Sequence, residues 1–157
     1  SPFPPPSIDR PIFIPTSVPT VVVSSTRAAM ENLIAVLRQS PQSTEHWLQL
    51  GLYRKNNGDY SGAEDAWRYA ATLDPDNAQT YDSLGVLYAY YLKDTRKAEE
   101  NLLKAIDKEP FVTFHYLRAF EFYRDVQNNA RTAKAIIEQG VMRKPRDPDL
   151  TALLREL

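Results

Sequence analysis

Two histidines, His46 and His115, are the first side chains in this sequence that could ligate a metal or move a proton. A structural or catalytic zinc site needs three or four His, Cys or carboxylate donors. No clustered carboxylate completes a set around either histidine, and the chain has no cysteine. Disulfides, thiolate nucleophiles and thiolate ligands are therefore excluded. Glu64 with Asp65 and Glu99 with Glu100 have the residue types of an acid and base pair, but their helical context directs them to solvent. Tyr88, Tyr90 and Tyr91 have the rings for base stacking. Single-strand binders, however, set such rings in a basic groove, and only Lys93 lies nearby. The glycines, Gly51, Gly58, Gly62, Gly85 and Gly140, form neither a nucleophile elbow nor a phosphate loop, and Asn57-Gly58-Asp59 reads as a turn. Without a cluster of acid, base, nucleophile or ligand, no enzymatic activity, cofactor or metal is expected.

Charge and hydropathy agree with that. Nineteen Lys and Arg face twenty Asp and Glu, a net charge of −1, so no global field attracts phosphate backbones, and nucleic acid is not an expected partner. With 43% hydrophobic residues in 157, one ordinary domain can be filled. No uninterrupted apolar run approaches the roughly 20 residues that span a bilayer, so no membrane-spanning segment is expected. The chain starts at Ser1 without methionine, which is read as the removal of something upstream, whether a signal peptide, an anchor or the rest of a longer chain cut for expression; a secreted or surface location is preferred among these.

Two textures divide the chain. Seven of its twelve prolines lie between Pro2 and Pro19. Fixed φ angles and missing donors there predict an extended arm over residues 1–26. From Arg27 onward, apolar residues spaced three and four apart, broken by Pro, Gly, Asn and Asp, predict a succession of short amphipathic helices over 27–157. The fold class is all-α.

A repeat organises those helices. Trp47, Leu50, Gly51, Ala63, Trp67, Ala70 and Pro75 recur as Tyr81, Leu84, Gly85, Ala98, Leu102, Ala105 and Pro110. They recur again as Tyr116, Ala119, Ala133, Ile137, Gly140 and Pro145. The signature alanines and the prolines each stand 35 residues apart, while the aromatic starts stand 34 and 35 apart. That places one extra residue in the turns after Tyr91 and after Asp125. Small residues let two helices of a hairpin approach, large ones fill the space between hairpins, and proline ends the second helix.

The pattern resembles the tetratricopeptide repeat family over about residues 44–147, with repeats at about 44–77, 78–112 and 113–147. Two positions depart from it. Arg54 stands in a slot held by Tyr88 and Tyr123, and Phe120 stands where the first two copies have Gly51 and Gly85. Arg27 to Gln39 matches the second helix of a leading half-repeat. Asp147 and Pro148 open a capping helix over 148–157 whose Leu150, Leu153, Leu154 and Leu157 share one stripe. Eight helices are expected in a right-handed array of helical hairpins. Within it, His46 and His115 would be partly exposed and about 20 Å apart, too far to share a metal.

The resemblance implies a concave groove lined by first-helix positions and a polypeptide as the partner. Those positions select Leu48, Leu52, Lys55, Asn56, Asp82, Val86, Tyr90, Phe114, Leu117 and Arg124 as groove residues. Relatives that clamp a terminal carboxylate carry Lys, Asn and Arg where this chain has Leu48, Leu52, Asp82 and Val86, so an extended apolar ligand is expected instead. The arm offers one in Ile8, Ile12, Phe13, Ile14, Val18, Val21 and Val23. At about 3.3 Å per residue, 26 residues reach about 80 Å, enough to lie along their own array or enter a neighbour's. A protein scaffold that binds its own or another copy's arm, or a homo-oligomer built head to tail by arm exchange, follows from that reading.

Overall fold

The computed structural model describes residues 4–17 and 19–157. Among them are eight helices and no strand: α1 (Thr20–Gln39), α2 (Thr44–Asn56), α3 (Tyr60–Leu73), α4 (Ala78–Val86), α5 (Thr95–Lys108), α6 (Thr113–Glu121), α7 (Ala130–Arg143) and α8 (Pro148–Glu156). The all-α hairpin architecture and the helix count agree with the sequence. The chain divides into two compact units, Ser1–Asp76 and Asn77–Leu157.

Proline sets where helices end. Ser40, Asp74, Glu109 and Lys144 each precede a proline and adopt φ of −131°, −134°, −129° and −132°. The ring that follows excludes them from helical geometry. Asp59, Asp94 and Asn129 set where α3, α5 and α7 begin, each accepting at 3.0 Å from the amide three residues on, in Gly62, Lys97 and Thr132.

The extra residue of the longer repeats is not in the turns. α4 continues into a π-helical turn at Leu87–Leu92, and α6 into another at Phe122–Val126. A π turn widens the helix by one residue. The carbonyl of the Tyr slot accepts from the next helix's capping amide in each hairpin: Arg54 from Asp59 at 2.8 Å, Tyr88 from Asp94 at 3.0 Å and Tyr123 from Asn129 at 2.8 Å. The residue before each cap pair, Gly58, Lys93 or Asn128, has positive φ. These joints therefore keep one geometry while the helix before them absorbs the length.

In the first unit Met30, Leu33, Ile34 and Leu37 of α1 pack with Trp47, Leu50, Ala66, Tyr69 and Ala70. A Cβ on Gly51 would lie 2.2 Å from the Trp67 ring, so the absence of a side chain there is what admits the indole. In the second unit Tyr81, Leu84, Leu102, Tyr116, Phe122, Ile137 and Leu150 are buried. Phe120, in the glycine slot, is itself buried, with the Arg124 guanidinium 4.9 Å above its ring. In α2 and in α6 an aromatic ties down the preceding proline turn: Trp47 Nε1 donates to Pro41 and the Tyr116 hydroxyl to Pro110, each at 2.7 Å.

The arm is shorter than residues 1–26. α1 starts at Thr20, immediately after Pro19, whose carbonyl accepts from Val23 at 3.0 Å. Val21 and Val23 are therefore helical, and Val21 is exposed. The β-branched run favours extension, but no proline interrupts the chain again before Pro41, and the helix fixed by the Met30–Leu37 face extends back to the last one. By length and composition α1 is apolar enough to cross a membrane; here its C-terminal half is core. At the other end Asp147 accepts from Leu150 at 3.1 Å with Pro148 in the first turn of α8. Of the leucine stripe only Leu150 is fully buried, and Leu157 is exposed.

Candidate functional site

The arm has a defined seat on the first unit. Arg10 lays its guanidinium fork on Asp59, with Nε donating to Oδ2 at 2.7 Å and Nη2 to Oδ1 at 2.6 Å, and Asp65 lies 3.8 Å from Nη1. Arg38 of α1 pairs with Asp9 at 2.7 Å. Ile8 and Ile12 are half-buried against the α1–α2–α3 core. Ile14 is half-buried; Phe13 is more than half exposed, its ring edge 3.6 Å from where a Cβ on Gly58 would stand. Val18 lies outside the described residues.

Arg54 completes the seat. Only 3% exposed, it donates from Nη1 to the Gly62 carbonyl at 3.1 Å and from Nη2 to the Ser7 carbonyl at 3.3 Å. Burial lowers its pKa against the opposing pull of Asp59. At 100° per residue Arg54 lies about 130° around α2 from the line of Leu48, Leu52 and Lys55. The arm is thus seated away from the groove positions of its own unit, not along them.

The sequence-predicted groove residues fall on the first-helix faces of each unit. On α2, Leu52 and Asn56 are exposed, Lys55 is half-buried, and Leu48 packs partly against the core while its carbonyl accepts from Trp67 Nε1 at 3.0 Å. On the second unit, Val86 and Leu117 are half-buried, Tyr90 is 36% and Phe114 49% exposed, and Arg124 is exposed and forked on Asp125 at 2.6 Å. Burial, with Glu121 and Asp125 nearby, raises the Tyr90 pKa. The Arg118 guanidinium stacks 4.7 Å from the Phe114 ring.

Asp82 does not line an open surface. It is 8% exposed, and its carboxylate lies 3.8 Å from Nδ1 of His115 and 4.0 Å from Nε of Arg118. His115, expected to be partly exposed, is 5% exposed, and its Nε2 meets Glu109 at 3.0 Å. The Asp82 carboxylate, and after it Glu109, raise His115 above the ordinary imidazole range despite burial. His46 Nδ1 meets Ser43 Oγ at 2.5 Å. Among the described residues no three His, Asp or Glu side chains converge as a metal site requires.

The four acids expected to be simply solvated all have partners: Glu99 accepts from the Tyr123 hydroxyl at 2.6 Å, Asp65 faces Arg10, Glu64 lies 3.9 Å from Arg68, and Glu100 pairs with Arg96 at 2.7 Å. The seat residues Arg38, Asp59 and Gly62 were not singled out as site residues by the sequence. The only sequence signal was Arg54, the departure from the tyrosine slot.

Comparison with known proteins places this geometry. The chain superposes on the crystal structure of MamA with a TM-score of 0.66 at 21% identity, covering 85% of this chain and 77% of that one. It is 34% identical over 101 residues, 60% of its length, to tetratricopeptide repeat protein 37 of Xenopus laevis, of which it covers 6%. The fold is that of tetratricopeptide-repeat proteins. The chain also superposes on the first TPR of Spaghetti (RPAP3) bound to HSP90 peptide SRMEEVD, with a TM-score of 0.59 at 22% identity over 73% of this chain and 92% of that one. A further relative is the formate-dependent nitrite reductase complex subunit NrfG of Escherichia coli O157:H7, 26% identical over 116 residues, 64% of this chain and 59% of that protein. The chain thus spans less than two thirds of either curated relative. No family model matches it.

Proposed function

We propose that the protein is a non-enzymatic interaction scaffold whose first-helix faces bind an extended, apolar polypeptide. The observation that carries this is the strip on the second unit, where Tyr90 and Phe114 stand well exposed beside the half-buried Val86 and Leu117. Large apolar rings left open on a helix face are what a hydrophobic ligand covers. A structurally similar domain was solved with a peptide bound, which supports the same mode here. The charged neighbours Arg118, Glu121, Arg124 and Asp125 include both signs, so they favour no terminal carboxylate. An array of synthetic peptides probed with the intact chain tests this reading. Extended sequences rich in Leu, Ile, Val and Phe should be retained, and Phe114→Asp should lose them while helical content stays constant. Selection of acidic tails, or retention unaffected by Phe114→Asp, rejects the reading.

A second reading, a structural subunit that assembles by exchanging arms, is favoured by the seat itself. Its pairs Arg10–Asp59 and Arg38–Asp9 join the arm to the helices, so a neighbouring copy's arm makes the same pairs without new chemistry. Sedimentation of the wild type against Arg10→Glu across concentration tests it. Two concentration-independent monomers reject exchange.

A further inference from the structure

We propose that the first repeat holds a dedicated recognition site for a Ser-Ile-Asp-Arg-Pro-Ile segment, separate from the first-helix faces, whose occupant in trans is the same segment of a second copy. The site is written in the departures of this repeat from its siblings. Arg54 replaces the tyrosine of Tyr88 and Tyr123, and Gly62 stands where the other repeats have Lys97 and Thr132. Both departures serve the arm. A Cβ on Gly62 would lie 2.7 Å from Arg10 Nε and 2.2 Å from Asp59 Oδ2, so any side chain there closes the guanidinium seat. Arg54 carries a long donor where tyrosine has a ring, and reaches the Ser7 carbonyl.

Register is read by charge. Adjacent arm residues of opposite sign, Asp9 and Arg10, meet partners of opposite sign, Arg38 on α1 and Asp59 ahead of α3. A one-residue slip brings like charges together. The planar fork of Arg10 fits both Asp59 oxygens, which lysine does not. Ile8 and Ile12 flank the charged pair and bury part of their side chains on the core. Seven residues of chain separate Ile12 from Thr20 and can reach about 23 Å at about 3.3 Å each, enough to lift the segment from its own seat. Exchange between copies preserves every contact.

The test uses the full chain carrying Arg10→Ala as receptor, so that its own arm is weakened, and a labelled peptide of residues 4–15 as probe in fluorescence anisotropy. Saturable binding is expected. A peptide with Asp9 and Arg10 interchanged should bind at least tenfold more weakly. Adding Asp59→Asn to the receptor should also cost at least tenfold while the helix stays capped, as Asn129 caps α7. Adding Gly62→Thr, the third repeat's own residue, should abolish binding without loss of helical content. Adding Phe114→Asp should change nothing, which separates this site from the proposed groove. No saturable binding, indifference to the interchanged charges or to Gly62→Thr, or sensitivity to Phe114→Asp overturns the site. Peptide binding together with a wild-type chain that stays monomeric at every concentration overturns the second copy as occupant.

Discussion

Arg54 and Ser7, 47 residues apart in the chain, are joined by a hydrogen bond from a buried guanidinium to a main-chain carbonyl. The same guanidinium holds the Gly62 carbonyl at the start of α3. One side chain therefore fixes both the arm and the hairpin that supports it.

Arg54→Met keeps the length and removes the donors. The Gly62 carbonyl loses a buried partner, and such a loss costs about 1–3 kcal/mol. Urea unfolding of the intact chain should show a lower midpoint, and limited proteolysis should cut the arm faster. An unchanged midpoint would mean that burial of the charge had been as costly as its bonds were favourable.

Gly51→Ala and Gly85→Ala place the same methyl in two environments. At Gly51 it meets the Trp67 indole at 2.2 Å, a rigid ring held by its bond to Leu48; at Gly85 it meets the Leu102 side chain at 2.6 Å. Helix propensity alone favours alanine by about 1 kcal/mol. Overpacking of about 1–3 kcal/mol or more should win at Gly51, with a smaller net effect at Gly85, where the leucine can turn aside. Thermal unfolding of the two variants gives the order.

His115 should make stability depend on pH. Its neighbours Asp82 and Glu109 raise its pKa in the folded chain, and the Arg118 guanidinium also faces Asp82. A histidine with a raised folded pKa contributes fully below its unfolded value of about 6.5 and loses that contribution as pH rises through the folded value. The urea midpoint should therefore fall as pH rises from about 6.5 through the folded value, and His115→Gln should flatten that fall. Equal slopes in the two proteins would assign the dependence to other groups.

Tyr123→Phe removes the hydroxyl that donates to Glu99, a residue of the preceding hairpin. A bond to a partly exposed carboxylate contributes about 1 kcal/mol, so denaturation should shift by that order. Glu99→Gln should shift it less, since an amide oxygen still accepts.

Helical hairpins were legible because their determinants are local. Ala63, Ala98 and Ala133 mark close approach, and Pro75, Pro110 and Pro145 mark ends, by sterics acting within a few residues. The start of α1 was not legible: Val21 to Val23 favour extension by propensity, and the helix there continues from a core face seven or more residues away. The burial of Asp82 and His115 was equally hidden, since it depends on α4 and α6 meeting across 33 residues of sequence. Arg54 was visible as an anomaly, but its partner at Ser7 could not be read from spacing. The groove residues follow from the resemblance alone; their placement on first helices leaves Tyr90 and Phe114 open and closes Asp82.

The π turns at Leu87–Leu92 and Phe122–Val126 give the array a tolerance for insertion and deletion. A spare residue stored as a bulge inside a helix can be lost by closing that bulge into ordinary α geometry, as α2 has it, with no change of phase for the capping residue downstream. A one-codon deletion at Tyr91 should therefore be survivable, whereas the same deletion within α5 would rotate every later side chain by about 100°. Repeats of 34 and 35 residues are, on this account, structurally interchangeable parts.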